Sequence, residues 1–168
     1  MPRLFVAVWP PEDMLDAVAR LARPPVDGVR WTSREQWHVT LRFLGSVDDP
    51  AAVVDALPRV GAGPVEARLG PAVGRFGNRV LHAPVSGLGE LAEEVAAATA
   101  GIGQPPEDRE FSGHVTLARV AKGARVDLGR LAGEAVSGRW TVRQVCLVES
   151  HLGPAGARYE VVASFGLS

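Results

Sequence analysis

The tetrapeptide His-Val-Thr-Leu occurs twice in this chain, at residues 38–41 and 114–117. The chain contains four histidines, so two of the four begin this tetrapeptide. Successive side chains of a β-strand point to opposite faces, which puts the histidine and threonine of each copy on one face and the valine and leucine on the other. Each copy therefore predicts a strand that buries an apolar pair and presents an imidazole beside a hydroxyl.

The segments around these two strands predict a regular alternation of strands and helices. Proline, glycine and capping residues separate the apolar patterns from one another. The pattern predicts strands at 4–9, 29–31, 37–44, 65–69, 79–85, 114–120, 140–148 and 158–165, and helices at 11–23, 50–57, 88–102 and, as a short one, 127–135. The two copies lie too far apart for a short solenoid repeat, so they indicate duplication of a lobe. We expect an α+β fold with two pseudo-symmetric lobes, each with an antiparallel sheet and helices, within one domain over residues 1–168.

Composition excludes several classes of function. The formal net charge is −1, whereas proteins that coat nucleic acid nonspecifically are strongly basic. No apolar run reaches the length of a membrane span. Cys146 is the single cysteine, which excludes an internal disulfide, and the first residues lack the pattern of a signal peptide. We therefore expect a cytoplasmic protein that does not associate with membranes.

The two polar strand faces suggest a chemistry if the lobes pack around a pseudo-twofold axis. His38, Thr40, His114 and Thr116 would then converge in a central groove. A neutral histidine can take a proton from an attacking water while a protonated one gives a proton to the leaving oxygen, and the two hydroxyls can bind phosphate oxygens. Histidine suits both roles because its unperturbed pKa is about 6.5. The set predicts phosphoryl transfer without a metal, most readily on a strained cyclic phosphate ester.

At these residues the chain resembles the 2H phosphoesterase superfamily, which is defined by two HxTx motifs, and within it the bacterial and archaeal RNA 2′,3′-cyclic phosphodiesterases, also called 2′-5′ RNA ligases. The resemblance covers nearly the whole chain: RLFVAVWP, WTSREQWHVTLRFLG, RVLHAPV, REFSGHVTLARV and LVESHLGPAGARYEVV. It implies a bilobal α+β fold with a positively lined groove, no metal or other cofactor, and hydrolysis of RNA 2′,3′-cyclic phosphate ends to 2′-phosphate.

The resemblance also implies roles for individual residues. His38 and His114 are the catalytic pair, with His114 as the base and His38 as the acid on the 3′ oxygen. Thr40 and Thr116 hold the phosphate, and Arg119 is a further phosphate contact. Strict alternation along the strand would point Arg119 away from His114, so this role requires a β-bulge or a strand end.

Five further residues have alternative interpretations. Phe43 occupies the place in the first motif that Arg119 has in the second, where it could stack on a base or belong to the core. Trp37 and His82 depart from the residues usual in the family, which leaves base or end-group preference open. We expect His82 and His151 to be structural or exposed, and Arg109 to be either a groove residue or a loop surface charge.

Two other functions fit the same residues. The groove could bind an AMP-like nucleotide without turnover, or it could hydrolyse a small cyclic phosphate that is not RNA. No GxxxxGK motif is present, so any joining of RNA would be the reverse of the cyclic ester reaction. We expect RNA ends with 2′,3′-cyclic phosphate, such as tRNA halves, as partners, no cofactor, and a monomer.

Overall fold

The computed structural model describes residues 2–168. Within that range there are ten strands, three α-helices and three 3₁₀ turns. The strands are β1 (Arg3–Val8), β2 (Val29–Trp31), β3 (Val39–Ser46), β4 (Val65–Leu69), β5 (Gly74–Phe76), β6 (Val80–Ser86), β7 (His114–Val120), β8 (Gly138–Val142), β9 (Gln144–Gly153) and β10 (Gly156–Gly166). The helices are α1 (Glu12–Ala19), α2 (Pro50–Ala56) and α3 (Gly89–Ala98), and the 3₁₀ turns are Arg34–Gln36, Leu57–Arg59 and Leu128–Arg130. None of the helices in residues 2–168 has the length and apolar character needed to cross a bilayer.

The strands form one continuous hydrogen-bonded arrangement. Their order is β10-β9-β1-β3-β7-β6-β4-β8, with β2 added to β7 and β5 added to β6. Every neighbouring pair is antiparallel. The predicted α+β class with antiparallel sheets is therefore confirmed. The two strands that carry the repeated tetrapeptide, β3 and β7, are neighbours at the centre of this order.

The sheet curls so that its two ends approach one another. β8 is the last strand of the order, whereas β9 lies next to β1 near the opposite end. Arg143 is the single residue between β8 and β9. One residue cannot cross an open sheet of this width, because adjacent strands are about 4.8 Å apart. The strand order therefore bends into a curved, partly closed wall.

Two helices pack against strands from the opposite half of the strand order. α1 follows β1, yet it contacts β8, and α3 precedes β7, yet it contacts β3. α1 approaches β8 closely, since a Cβ atom on Gly138 would lie 2.5 Å from Sδ of Met14. Met14 and Val18 form the buried stripe of α1. The exchange of helices ties the two halves of the chain together.

Apolar side chains lie on both faces of the sheet. In β1, Leu4, Val6 and Val8 belong to the main core, together with the buried residues of the helices. Phe5 and Ala7 alternate with them and belong to a second, smaller cluster on the other face. The second cluster consists of Phe5, Ala7, Cys146 and Val148, with Trp9 and Tyr159 packed against it. This second face is the one on which the motif histidines lie.

The predicted helices are present except at 127–135, where the prediction was wrong. Only a 3₁₀ turn forms there, capped by the Asp127 side chain, which accepts from the main-chain nitrogen of Gly129. Gly133 has a φ of 100°, a left-handed conformation that ends helical structure. α1 is also shorter than predicted, because the main-chain nitrogen of Ala22 donates to the Glu134 carboxylate and not to a helical carbonyl.

The strand predicted at 140–148 is two strands. β8 pairs with β4, whereas β9 pairs with β1 and β10, and the chain changes partner at Arg143. Only one residue separates the two strands, so the sequence pattern is typical of a single long strand. β5 was not anticipated. It has three residues, of which one is glycine, and that is too short for a periodic pattern.

Candidate active site

The two motif strands meet at the residues that follow the two histidines. Val39 of β3 pairs with Val115 of β7 in antiparallel orientation. Both valines are almost fully buried in the main core, so the residues on either side of them face the opposite way. In an antiparallel pair this register sets His38 across from Thr116 and Thr40 across from His114. The structure thus brings the two imidazoles and the two hydroxyls together on one face.

The ring of His38 is held in one tautomer by the main chain. Its Nδ1 lies 2.7 Å from the carbonyl oxygen of Gln36. A carbonyl oxygen only accepts, so Nδ1 carries the proton and donates it. In the neutral ring Nε2 is then the unprotonated nitrogen, and it accepts from the Thr40 hydroxyl at 3.0 Å. Proton exchange at His38 is therefore directed through Nε2.

The second motif repeats this arrangement. Nδ1 of His114 lies 2.8 Å from the carbonyl oxygen of Ser112, again the residue two positions earlier. The strand approaches its neighbour closely at this point, because a Cβ atom on Gly113 would lie 2.5 Å from the carbonyl oxygen of Val85. His114 is thus also oriented with Nδ1 as the donor. Two imidazoles with the same tautomer can exchange protons through their two Nε2 atoms.

A β-bulge at Leu117 changes the direction in which the end of β7 points. Thr116 and Ala118 pair with consecutive residues of β6, which leaves Leu117 without a partner. Leu117 and Ala118 are consecutive and both buried, which strict alternation does not allow. The bulge shifts the alternation by one residue, so Arg119 returns to the face of Thr116. The bulge required for Arg119 to act beside His114 is therefore present.

β3 carries the same feature in the first motif. Thr40 and Arg42 pair with consecutive residues of β1, and Leu41 between them has no partner. Leu41 and Arg42 are both buried, and Phe43 is 45% exposed. Phe43 therefore lies on the face of Thr40, in the position that corresponds to Arg119. The alternative that Phe43 belongs to the core is excluded by this exposure.

Burial and positive charge lower the pKa of both motif histidines. The pKa of His38 is lowered to about 4, chiefly by burial and also by the charges of His114 and Arg119, while the hydrogen bond to Gln36 raises it. Burial also lowers the pKa of His114, as do the charges of Arg119 and Arg109. All the charged groups that act on these two rings are cationic. Both rings are neutral in the free protein at pH 7, and the groove attracts anions.

Aromatic rings surround His38. Its ring stacks on Phe5 at 4.9 Å and lies 5.0 Å from Tyr159 and 5.4 Å from Trp9, measured between centroids. Burial raises the pKa of Tyr159, so its hydroxyl keeps its proton. These residues were not identified from the sequence. The signal was present in β1, where apolar residues occupy both faces and therefore predict a strand buried on both sides.

A different pair of rings lies beside His114. Phe76 of β5 is 4.9 Å from His114, with the two planes near perpendicular, and His82 of β6 is 5.3 Å from His114. His82 is buried. Of the two alternatives expected from the sequence, structural or exposed, the structure excludes the exposed one. The pKa of His82 is lowered to about 4, chiefly by burial and to a smaller extent by the charge of His114. Phe76 was not identified from the sequence because β5 was not.

The remaining residues noted in the sequence lie outside the pair of motifs. The Trp37 side chain is fully buried in the main core, so it does not reach a ligand. Arg109 forms an ion pair with Glu107 and is mostly exposed. Nε2 of His151 lies within 3.6 Å of carboxylate oxygens of both Glu149 and Glu160. These three groups could together bind a cation, but none of them belongs to the HxTx motifs.

The chain belongs to the 2′-5′ RNA ligase superfamily, whose family model matches residues 10–154. The resemblance stated from the two HxTx motifs is thereby confirmed. Three curated relatives carry the name RNA 2′,3′-cyclic phosphodiesterase. The protein of Methanocaldococcus jannaschii is 27% identical over 95% of this chain and 98% of its own length. The protein of Aeropyrum pernix is 32% identical over 88% and 89%, and that of Thermus thermophilus is 31% identical over 98% and 90%.

Solved structures agree with this assignment. The chain superimposes on the crystal structure of TT0787 of Thermus thermophilus with a TM-score of 0.80 and 31% identity, covering 98% of this chain and 97% of that one. The apo structure of E. coli LigT gives a TM-score of 0.74 at 23% identity, covering 99% and 98%, which shows the shared fold.

Proposed function

We propose that this protein hydrolyses RNA 2′,3′-cyclic phosphate ends to 2′-phosphate, with His114 as general base and His38 as general acid. The observation that carries the proposal is the pairing of Val39 with Val115, since it sets two imidazoles and two hydroxyls on one face of the sheet. The relatives named RNA 2′,3′-cyclic phosphodiesterase cover nearly the whole chain and support the choice of substrate.

The proposed reaction is a single displacement at phosphorus. Nε2 of His114 takes a proton from a water molecule as the water oxygen forms a bond to phosphorus. The bond between phosphorus and the 3′ oxygen breaks, and Nε2 of His38 gives its proton to that oxygen. The phosphate remains on the 2′ oxygen. Each of the two proton transfers contributes roughly 10²- to 10⁴-fold to the rate.

The Nδ1 contacts explain why Nε2 acts on each ring. Nδ1 of His38 and Nδ1 of His114 each donate a hydrogen bond to a main-chain oxygen, of Gln36 and Ser112 respectively. Neither ring can flip by 180° without breaking that hydrogen bond. Thr40 and Thr116 donate to the phosphate oxygens in the proposed complex, and Arg119 adds a positive charge. The hydrolysis needs no metal in this scheme, because the cationic side chains stabilise the developing charge.

Binding of the substrate favours the protonated form of His38, which takes its proton from the solvent. The pKa of His38 is about 4 in the free protein, so the ring is neutral at pH 7. A phosphate anion beside an imidazole favours the charged form and raises its pKa. We therefore propose that His38 is protonated in the complex and not before it.

The test uses a short RNA that ends in 2′,3′-cyclic phosphate, incubated with the protein in EDTA, with the product isomer identified chromatographically. We expect 2′-phosphate, and a loss of at least 10²-fold in kcat for His38→Ala and for His114→Ala. His151→Ala is the matched control, because it removes a histidine outside the motifs and should retain activity.

Other outcomes select other interpretations. A 3′-phosphate product would overturn the assignment of acid and base. No product together with tight nucleotide binding would favour a binding module. Turnover of a small cyclic phosphate but not of RNA would replace the RNA substrate.

A further inference from the structure

Phe76 is an exposed aromatic ring beside a motif histidine. Within residues 2–168, Phe43 and Phe76 are the two aromatic residues with the greatest exposure, at 45% and 39%. The Phe76 ring meets the His114 ring at 80° with 4.9 Å between centroids. Exposed aromatic surface next to a site that attracts anions is the arrangement with which proteins stack the bases of single-stranded RNA.

The inner face of Phe76 is supported from below. Its ring lies over the buried His82 ring at 4.1 Å, with 29° between the planes. His82 in turn occupies the space above Gly74, where a Cβ atom would lie 3.0 Å from Cε1 of the imidazole. The imidazole is therefore confined between Gly74 and Phe76, and its Nδ1 is buried without a hydrogen-bond partner among the described residues. This packing holds the Phe76 ring with its outer face open, so little conformational entropy is lost when a base stacks on it.

Phe43 and Phe76 lie on opposite sides of the motif pair. Phe43 belongs to β3 and contacts Phe5, whose ring stacks on His38. β5, which carries Phe76, is separated from β3 by β7 and β6. Phe43 therefore lies on the His38 side of the motif pair, whereas Phe76 contacts His114 itself. The groove has two separate aromatic surfaces, one on each side of the paired histidines.

A 2′,3′-cyclic phosphate is attached to a single ribose, so only one base belongs to the nucleotide that reacts. If Phe43 stacks that base, a cyclic mononucleotide has no second base to stack on Phe76. An RNA end of two or more nucleotides supplies a second base, joined through the 5′ side of the reacting ribose. We propose that Phe76 stacks the base of the nucleotide that precedes the cyclic end and thereby selects RNA ends over cyclic mononucleotides. This inference rests on the proposed function and names the part of the substrate that the His114 side recognises.

The test compares kcat/KM for a nucleoside 2′,3′-cyclic phosphate and for a dinucleotide that ends in 2′,3′-cyclic phosphate. We expect the wild-type protein to prefer the dinucleotide by roughly 10- to 100-fold, the contribution of one stacked base. Phe76→Leu keeps an apolar side chain over His82 but has no ring, and it should bring the preference close to one. Phe76→Trp should retain the preference, and Phe43→Ala should lower kcat/KM for both substrates without changing their ratio.

Binding of products separates this inference from the proposed function. The affinities of a nucleoside 2′-phosphate and of a dinucleotide with a terminal 2′-phosphate can be measured by calorimetry with no turnover. A wild-type protein that hydrolyses neither substrate but binds the dinucleotide at least tenfold more tightly, with Phe76→Leu abolishing that difference, would leave the inference standing and refute the hydrolysis. Equal wild-type affinities, or an equal loss on both ligands in Phe76→Leu, would overturn the role of Phe76.

Discussion

Nε1 of Trp37 donates a 3.0 Å hydrogen bond to Oγ1 of Thr32, and the Thr32 hydroxyl in turn donates to the main-chain oxygen of Thr116 at 2.7 Å. Trp37 precedes the first motif histidine and Thr116 is part of the second motif. The hydroxyl of Thr32 therefore links the two HxTx strands through the core side of the sheet. The Trp37 side chain is buried, so it supports the two motif strands and does not contact a ligand.

The link predicts that Thr32→Val destabilises the protein. The substitution keeps the shape of the side chain but leaves the buried indole N–H of Trp37 without an acceptor, which costs about 1–3 kcal/mol. We expect the free energy of unfolding in urea to fall by that amount. Thr141→Val, an exposed threonine on β8, is the matched control and should change it by less than about 0.5 kcal/mol. Equal effects of the two substitutions would show that the hydroxyl of Thr32 does not provide the link.

The lowered histidine pKa values predict an acidic optimum for the free enzyme. kcat/KM reports the ionisation of free enzyme, in which the pKa of His38 is about 4 and that of His114 is below 6.5. The enzyme form in which one of the two histidines is protonated and the other is neutral is most abundant between those two pKa values. We therefore expect kcat/KM to be greatest below pH 6.5. kcat should be greatest at a higher pH, because the bound phosphate raises both pKa values. Initial rates from pH 4 to 9 test this, and a kcat/KM maximum at or above pH 7 would contradict it.

The position of Arg119 predicts two effects of its removal. Loss of a charge-assisted contact to phosphate costs about 1.5–3 kcal/mol, so kcat/KM should fall roughly 10- to 100-fold in Arg119→Gln. Because the Arg119 charge lowers the pKa of both histidines, its removal should also move the kcat/KM maximum to higher pH. Arg119→Lys keeps the charge and should keep the pH profile.

The control for Arg119 is Arg59→Gln. Arg59 is an exposed residue in the 3₁₀ turn after α2, so its substitution changes the net charge by the same amount without touching the groove. If Arg119→Gln and Arg59→Gln have the same activity and the same pH profile, Arg119 has no role at the phosphate.

The buried imidazole of His82 predicts a loss of stability in acid. Its pKa is about 4 in the folded protein and about 6.5 when unfolded. The unfolded chain therefore binds more protons between pH 6.5 and 4, and the free energy of unfolding falls as the pH falls through that range. His82→Phe keeps a ring beneath Phe76 and removes the titration, so it should lose less stability between pH 7 and 4.5, by about 1–3 kcal/mol. Urea unfolding at the two pH values measures this, and parallel losses in both proteins would refute it.

The sequence by itself determined the strands that carry the motifs and the direction of their side chains. In both copies of the tetrapeptide the valine is buried and the histidine faces the groove, because alternation is a local property of an extended backbone. The two copies also identified the family, since the order and spacing of the motifs persist whatever the surrounding packing. The helices α1, α2 and α3 follow from local apolar periodicity in the same way, and α2 also from its Asp49 cap.

Only the tertiary structure decided what surrounds these residues. The bulges at Leu41 and Leu117 arise from pairing with β1 and β6, and they turn Phe43 and Arg119 to the face that carries the histidines. Arg42 follows the first bulge into the interior, where its guanidinium donates to Thr99 Oγ1 and to main-chain oxygens that include those of Ile102 and Gln104. Such positions depend on which strand becomes the neighbour, and that choice is made by contacts between residues far apart in the chain, which local propensity does not encode.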